Sequence, residues 1–229
     1  MARYTFQPAP TSYDHDFMAT MESEYRDGTP WTRLRLAAVR ALVDPHPGDR
    51  VLDLGCATGA VTHYLSTLGC TTVGVDAEPL AIERARELFP ELEFELADVA
   101  ELPFGTWAFD KAVAADLVEH VDDDTFARML AELRRVLIPG GTLSIYTPNR
   151  LHLIERLKER EWVLAQNPTH VAVRDAGAIV RLLEAGDFAV ERNDWRASHF
   201  AGWNLVERSA GRLVPSLRYR LCITARTPA

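Results

Sequence analysis

The stretch Arg50-Val51-Leu52-Asp53-Leu54-Gly55-Cys56-Ala57-Thr58-Gly59-Ala60-Val61 is typical of a short strand, a glycine loop and the start of a helix. The strand is rich in valine and leucine and has no polar face, which is typical of a central parallel strand covered on both sides. Gly55 permits a sharp backbone turn, and Gly59 lets the helix pack closely on the strand. The new helix directs free N–H groups towards whatever lies over the loop. This stretch predicts a ligand-binding loop in an α/β sheet.

Strand and helix continue to alternate along the chain, which predicts a doubly wound, mostly parallel sheet. Further strands are predicted at 71–75, 93–96, 110–115, 142–147, 188–195 and 217–226. Helices are predicted at 30–43, 58–68, 79–89, 124–137, 150–165, 175–185 and 203–213. We find no repeats, no low-complexity tract and no clear second domain in the pattern.

Three successive predicted strands end in an acid, at Asp53, Asp76 and Asp98. Ligands of such sheets bind at the carboxyl ends of the strands, so we expect the three acids to line one crevice. Asp76 follows the glycine loop by the spacing of an acid that binds ribose hydroxyls, and Asp98 could accept a hydrogen bond from an exocyclic amine. Asp53 would repel a pyrophosphate and favour a cationic or zwitterionic group. The loop also lacks the G-x-G-x-x-G spacing, so a nicotinamide cofactor fits less well than a cationic nucleoside.

Five segments, in order, resemble the motifs of the class I S-adenosylmethionine-dependent methyltransferases: 51–59, 74–76, 97–99, 109–121 and 135–143. The resemblance covers about residues 31–229 and implies a Rossmann-like, seven-stranded sheet whose last strand is antiparallel. It implies a cofactor site made of Asp53, Gly55, Cys56, Ala57, Gly59, Asp76, Ala77, Asp98, Val99 and Ala115. Ala57 departs from the family, which usually has glycine there. A small residue fits this position if its φ is negative.

A looser resemblance connects the chain with ubiquinone-biosynthesis-type and related small-molecule O-methyltransferases. The segments that carry it are Asp116-x-x-Glu119-His120, Thr147-Pro148-Asn149-Arg150 and Thr169-His170. By this resemblance, Arg35 on the helix before the first strand is a candidate for binding the methionine carboxylate, with Arg33 as its rival.

Asp116, Glu119 and His120 have the spacing of one helical face, which could hold a divalent metal beside the substrate. The looser resemblance implies magnesium there, although metal-free relatives carry a similar element in which His120 packs near the cofactor. A neutral hydroxyl acceptor needs a base or a metal to remove its proton, so His120 and His170 are the catalytic candidates. The alternative role of His170 is to fix a loop. His199, with aromatic neighbours in sequence, is either part of a pocket wall or a solvent-edge histidine.

Composition narrows the class of protein. The chain has 229 residues, 25 basic and 33 acidic, and a net charge of −8, which argues against nucleic acid as a partner. No apolar run approaches the ~20 residues of a membrane helix, so we expect no stable membrane insertion. Three cysteines without paired spacing argue against disulfides. No signal-peptide pattern is present, which predicts a cytoplasmic protein.

Residues 1–30 are predicted to form an N-terminal extension to a methyltransferase domain at 31–229. Its aromatic and methionine side chains either pack on that domain or form a lid over a substrate pocket. The sequence predicts methyl transfer from S-adenosylmethionine to a hydroxyl of a small, partly aromatic or apolar molecule, such as a quinone precursor or secondary metabolite. The alternatives are an N-methyltransferase of a small amine and a cofactor-binding protein without transfer activity. The acceptor, the general base, the need for a metal and the oligomeric state, including a homodimer, stay open.

Overall fold

The computed structural model describes residues 15–158, 169–200 and 202–229. The strands are β1 (Arg50–Leu54), β2 (Thr71–Asp76), β3 (Glu93–Leu96), β4 (Phe109–Ala115), β5 (Leu137–Pro148), β6 (Ala189–Arg196) and β7 (Arg220–Arg226). The helices are α1 (His15–Asp27), α2 (Pro30–Val43), α3 (Ala60–Ser66), α4 (Pro79–Leu88), α5 (Asp123–Val136), α6 (Leu153–Lys158), α7 (Ala176–Ala185) and α8 (Trp203–Ala210). Short 3-10 turns lie at Val118–His120 and Pro215–Leu217.

The seven strands form one sheet in the order β3-β2-β1-β4-β5-β7-β6. Strands β1 to β5 pair in parallel, whereas β7 is antiparallel to both of its neighbours, β5 and β6. The strand order reverses between β1 and β4, which is where ligands bind in open α/β sheets. The predicted fold class, including the antiparallel last strand, is confirmed.

Apolar side chains fill both faces of the sheet. Leu52 and Leu54 of β1 pack with α5 and α7 in one core, while Val51, on the opposite face of the strand, packs with α2 and α3 in the other. Both residue sets are fully buried. The uniformly apolar β1 stretch therefore forms a central strand, as predicted from its lack of a polar face.

Several predicted boundaries differ from the observed ones, and two of the differences have clear local reasons. Strand β5 begins at Leu137 and not at Thr142, because Leu137 already pairs with Phe109 of β4 before an irregularity in the register. Helix α5 begins at Asp123, before the predicted start at residue 124, because the Asp122 side chain accepts the N–H of Thr125 and caps the helix. Of the helix predicted at 150–165, only Leu153–Lys158 is described, and the rest lies outside the described residues.

The described part of the N-terminal extension packs on the domain. The Tyr25 hydroxyl lies 2.8 Å from His63 Nδ1 on α3, and Glu22 pairs with Arg84 on α4 at 2.8 Å. Met18 is buried. These contacts agree with the packing interpretation of α1, whereas residues 1–14 lie outside the described part, so the lid and the domain boundary at residue 31 stay predictions. No helix within the described ranges combines the length and the apolar character needed to cross a membrane.

Candidate active site

The loop between β1 and α3 depends on two glycines with positive φ. Gly55 has a φ of 65°, and a Cβ there would lie 2.8 Å from Leu117. Gly59 has a φ of 83°, and a Cβ there would lie 2.7 Å from the ring of Phe94 on β3. Both positions therefore need glycine for conformation and for space. The sharp turn and the close packing expected of these glycines are both present.

Ala57, between the two glycines, also has a positive φ, of 47°. The expectation that alanine fits with a negative φ is therefore wrong. The reason is the hydrogen bond of its backbone N–H, which donates to Asp76 Oδ2 at 2.9 Å and turns the loop towards the end of β2. The chain tolerates a left-handed alanine to keep this link between the loop and Asp76.

Ala57→Gly is expected to stabilise the protein. A left-handed backbone at a non-glycine residue costs about 1–2 kcal/mol, and glycine removes this cost. Part of the gain is offset because glycine raises the conformational entropy of the unfolded chain. We expect a net increase of about 0.5–1 kcal/mol in the free energy of unfolding, measured by urea denaturation. Ala60→Gly, at the first residue of α3, is the control and should destabilise. An equal loss in both variants would contradict strain at Ala57.

The acids that end β2 and β3 lie at the carboxyl edge of the sheet. Asp76 accepts the N–H groups of Ala57 and Glu78, one on each oxygen, and each oxygen retains a lone pair for a further donor. Burial raises the pKa of Asp76. Asp98 is exposed and accepts the N–H of Ala100. This donor chemistry fits a nucleoside whose ribose lies on Asp76, with Asp98 beyond it.

Cys56, Ala77 and Val99, also predicted to bind the cofactor, have side chains that differ in exposure. The Cys56 N–H donates to the Val75 carbonyl, and the Cys56 thiol is buried. Ala77 is exposed beside Asp76, and Val99 is buried next to Asp98. The backbone of this group therefore shapes the crevice, and its side chains contribute little polarity.

Asp53 lies beneath the loop and not at its surface. The side chain is 2% exposed and accepts the hydroxyl of Thr62 at 2.7 Å. Burial raises the pKa of Asp53 to about 6, while the Thr62 hydrogen bond and the charge of Arg35 oppose the rise. The carboxylate predicted to select a cationic ligand is therefore buried below the crevice. From there it would influence a ligand through its electrostatic field and not through direct contact.

Asp53→Asn is expected to raise the stability of the protein near pH 7.5 and to weaken cofactor binding. The pKa of Asp53 is higher in the folded protein than its unfolded value of 3.8. The contribution of Asp53 to folding stability is therefore fully present below pH 3.8 and is lost as pH rises through about 6. The ionised carboxylate thus costs about 3 kcal/mol near pH 7.5. Asn keeps an acceptor for Thr62, so the variant should gain about 2–3 kcal/mol near pH 7.5 and little near pH 4, by urea denaturation.

The same variant should bind the cofactor product S-adenosylhomocysteine, which carries an ammonium group, more weakly near pH 7.5 than the wild type does. In calorimetry, wild-type affinity should fall as pH drops through 6, whereas the affinity of Asp53→Asn should change less. Asp27→Asn, at an exposed helix end, is the matched control. If Asp53→Asn is less stable than the wild type near pH 7.5, the ionised Asp53 carboxylate does not destabilise the folded protein, and the prediction is wrong.

Two arginines share one carboxylate at the end of β4. Arg35 Nε donates to Asp116 Oδ2 at 2.7 Å, and Arg220 Nη1 donates to Asp116 Oδ1 at 2.8 Å. Arg35 also donates to the carbonyl of Ala115 at 2.9 Å, whereas Arg33 is exposed. Burial opposes ionisation of Asp116, but the two guanidiniums hold its pKa below the usual value. Arg35 is the arginine that lies in the crevice.

The predicted helical face of Asp116, Glu119 and His120 is wrong. Asp116 has a φ of 60°, which no helix tolerates, and only Val118–His120 form a 3-10 turn. Glu119 and His120 instead come together with His170, their ligand atoms all within 4.8 Å of one another. The third member of the cluster with Glu119 and His120 is thus His170, and not Asp116 as predicted.

The magnesium site predicted through Asp116 is not supported. Asp116 is committed to two guanidiniums, and the remaining cluster offers one carboxylate and two imidazoles, whereas magnesium prefers oxygen ligands. Arg220 also lies 3.9 Å from Glu119. The residues do not fit the ion, so no chemical step is assigned to it.

His120 has a defined tautomer. Its Nδ1 lies 3.0 Å from the carbonyl oxygen of Thr169, and a carbonyl only accepts, so Nδ1 carries the hydrogen. In the neutral ring, Nε2 is then the acceptor. Burial lowers the pKa of His120, and it lowers that of His170, whose ring is 4.9 Å away, to about 4. Both rings are neutral near pH 7, and His120 has the geometry of a proton acceptor.

Glu119 is buried behind these histidines and accepts the hydroxyl of Thr147 at 2.9 Å. Burial, followed by the charge of Asp116, raises the pKa of Glu119 to about 8. Glu119 is therefore mainly protonated near pH 7, and its backbone carbonyl accepts the N–H of Ala172, which holds the His170 loop in place.

An aromatic wall, composed of Trp31, Tyr146, His199, Phe200 and Tyr219, lies beside this cluster. The Trp31 ring contacts those of Tyr146, His199 and Tyr219, and Phe200 contacts those of His199 and Tyr219. These residues come from α2, β5, the segment after β6 and the residue before β7. His199 thus lies among aromatic rings, which agrees with its role in a pocket wall.

Sequence reasoning missed Arg220, Trp31, Tyr146 and Tyr219. One signal was present for Arg220: in strand alternation it shares a face with Cys222, which is fully buried. An arginine at an inward position of a strand is rare without a partner or a function. The pairing with Asp116, 104 residues away in sequence, carried no local signal.

Comparison with known proteins identifies the domain. Residues 51–141, which include the loop, the strand-end acids and the His120 turn, match the family model described as a methyltransferase domain. This segment of the chain is therefore similar to a methyltransferase domain. This match agrees with the methyltransferase resemblance of the sequence motifs.

Relatives that match this chain in sequence carry methyltransferase names. A probable S-adenosylmethionine-dependent methyltransferase of Mycolicibacterium smegmatis is 29% identical over 161 residues, which span 70% of this chain and 60% of that protein. A chloroplastic tocopherol O-methyltransferase of Arabidopsis thaliana is 31% identical over 50% of this chain and 34% of that protein. The chain thus spans less than two thirds of these relatives. The crystal structure of a SAM-dependent methyltransferase from Aquifex aeolicus has a TM-score of 0.66 at 17% identity and covers 94% of this chain and 99% of that one, so it shares the fold.

Proposed function

We propose that this methyltransferase domain transfers the methyl group of S-adenosylmethionine to a hydroxyl of a small, partly aromatic molecule. The observation that carries the proposal is the tautomer of His120, whose Nε2 is an acceptor because Nδ1 is bound to the Thr169 carbonyl. A hydroxyl needs a base before it can attack a methyl group, and a neutral, half-buried imidazole provides one.

When bound, S-adenosylmethionine supplies a methyl group on a sulfonium. His120 Nε2 accepts the proton of the acceptor hydroxyl, and the charges of Asp116 and Asp76 favour the imidazolium that results. Burial of the cluster limits water, which strengthens each of these interactions. Much of the remaining rate enhancement comes from holding acceptor and donor in line.

Arg35, Asp76 and Asp53 are the residues we assign to the cofactor. Arg35 is fixed by Asp116 and by the Ala115 carbonyl, which places a cation at the end of β4 for the methionine carboxylate. Asp76 is assigned to the ribose hydroxyls. Asp53 favours the ammonium and sulfonium charges from beneath the loop.

The hydroxyl acceptor is supported by the aromatic wall and by the named activity of a relative. The Arabidopsis relative is a tocopherol O-methyltransferase. An amine acceptor would carry a positive charge into a site that already holds Arg35 and Arg220, so N-methylation is less favoured. A cytoplasmic location, a homodimer and the lack of a nucleic-acid partner stay predictions of the sequence.

The test has two stages. Calorimetry with S-adenosylhomocysteine should show binding, and an acceptor screen with methyl-labelled donor should show labelled ether products from hydroxylated aromatics. Binding without transfer to any acceptor would favour the non-catalytic alternative. Labelled amines in place of ethers would favour N-methylation, and a lack of cofactor binding would refute the proposal.

A further inference from the structure

Arg220 is the buried cation of the acceptor side, and its hydrogen bonding is incomplete. Its Nη1 donates to Asp116 at 2.8 Å and lies 3.9 Å from Glu119. Its Nε is buried and has no hydrogen-bond partner among the described residues. A buried N–H of a charged group is costly to leave without an acceptor. The edge of the guanidinium that contains Nε is therefore suited to receive an anionic oxygen.

The negative charge around Arg220 does not balance the positive charge. Among the described residues, Asp116 is the carboxylate that pairs with Arg220 at 2.8 Å, and it is shared with Arg35. Glu119 contributes little, because burial raises its pKa to about 8 and keeps it mainly protonated near pH 7. Arg220 thus shares its ionised partner with a second guanidinium, and an anionic acceptor would add negative charge beside it.

The rings around Arg220 make this site selective for flat molecules. The guanidinium lies 4.7 Å from the Trp31 ring, 5.3 Å from that of Tyr219 and 5.6 Å from that of Tyr146. These rings fix the guanidinium plane and exclude water from it. Phe200, which contacts Tyr219, is 41% exposed and offers an open aromatic face beside the charge.

The same geometry relates Arg220 to the base. Glu119 lies 3.9 Å from Arg220, and its carboxyl is within 4.8 Å of the nitrogens of His120 and His170. Arg220 and the two histidines thus border the same Glu119 carboxyl group.

We propose that the acceptor is an aromatic hydroxy acid, whose carboxylate is bound by the Nε edge of Arg220 while its ring packs on the aromatic wall. The inference rests on the proposed methyl transfer and adds the substrate class. Bidentate arginine–carboxylate pairs combine strength with a fixed orientation, so the carboxylate would direct the hydroxyl of the same ring to His120. Arg220 is then the residue that sets acceptor specificity.

The test is a binding experiment that does not need turnover. The protein is first saturated with S-adenosylhomocysteine and then titrated with 3- and 4-hydroxybenzoate and with their methyl esters. At least one acid should bind about 10–100-fold more tightly than its ester, since the ester removes the charge and keeps the ring. In Arg220→Gln the preference should disappear, and Arg220→Lys, which keeps the charge but not the Nε edge, should retain part of it.

Arg196→Gln is the matched control, because Arg196 is the partner of Arg220 in the β6–β7 register. It should keep the preference for acids. Each variant is first checked for wild-type affinity for S-adenosylhomocysteine, which excludes misfolding as the cause of any loss.

The outcomes separate the two proposals. No binding of S-adenosylhomocysteine to the wild-type protein would refute the methyltransferase function itself. Binding of the cofactor product together with equal binding of acids and esters, or with no binding of either, would overturn the substrate class and leave the function standing. An acid preference that survives in Arg220→Gln would also overturn it, because the carboxylate would then be bound elsewhere.

Discussion

His120→Asn is expected to lower kcat by about 10²–10⁴-fold, the usual contribution of a positioned general base. The asparagine amide can donate to the Thr169 carbonyl in place of Nδ1–H, so the turn should keep its hydrogen bond while the proton acceptor is lost. The affinity for S-adenosylhomocysteine should be unchanged. The measurement is kcat at saturating cofactor with an acceptor from the hydroxyl screen.

The pH dependence gives a second readout of the same residue. Because burial lowers the pKa of His120 below its ordinary value of 6.5, the base is deprotonated and active at neutral pH. Wild-type kcat should therefore fall only when the pH drops below 6.5. Saturating cofactor separates this effect from the titration of Asp53, which acts on affinity.

His46→Asn is the matched control, since His46 is an exposed histidine on the segment before β1. It should leave kcat unchanged. His170→Asn should have a smaller effect than His120→Asn, because its expected role is to fix the loop. A His120→Asn protein with normal kcat would remove His120 as the base, and a large loss at His170 alone would transfer the role to that residue.

The sequence predicted the sheet because the sheet follows from local patterns. The apolar run before Gly55 and the acids after three successive strands are each readable within a few residues. The carboxyl ends of parallel strands share one edge, so Asp53, Asp76 and Asp98 could be placed together without any structure. The handedness and adjacency rules predicted the parallel part of the sheet, whereas the antiparallel last strand was implied by the family resemblance.

The cluster of Glu119, His120 and His170 was predictable only in part, because its contacts are long-range. His120 and His170 were both candidates, but their meeting depends on Arg174, whose guanidinium binds the carbonyls of Val118 and Val121 on one side and that of Ala172 on the other. This clamp joins the two histidine segments. Nothing in the local pattern around Arg174 indicates it, since an isolated arginine is usually a surface residue.

The error at Asp116 has a similar origin. The i, i+3, i+4 spacing is correct for a helix, but Asp116 takes a positive φ at the end of β4, where its N–H donates to the Tyr146 carbonyl. Two arginines, 81 and 104 residues away in sequence, then hold its side chain. Spacing rules assume regular backbone, and active-site residues at strand ends often lack it.

Glu207→Leu is expected to lower the free energy of unfolding by about 2–5 kcal/mol, because it leaves two buried N–H donors without an acceptor at about 1–3 kcal/mol each. Glu207 and His152 are both 0% exposed and lie 3.1 Å apart. The N–H of Ile154 donates to His152 Nδ1, so Nε2 carries the hydrogen and donates to Glu207 Oε1. Glu207 Oε2 accepts the N–H of Ser198.

Loss of Glu207 would also change the acceptor pocket. Ser198 precedes His199 and Phe200, and Glu207 lies on α8, so the two bonds hold one side of the aromatic wall. At temperatures where Glu207→Leu is still folded, KM for the acceptor should rise while the affinity for S-adenosylhomocysteine stays the same. Glu184→Leu, on the exposed face of α7, is the control for stability.

The decisive comparison is the double variant His152→Leu/Glu207→Leu. If the cost of the single change comes from an unpaired Nε2–H, replacing both partners by apolar side chains should recover part of it, because no buried ring donor remains unsatisfied. The Ser198 N–H stays without its acceptor in both variants, so recovery should be incomplete. Urea denaturation of the four proteins of the cycle gives the coupling energy. Additive losses would show that the two side chains act only by filling space.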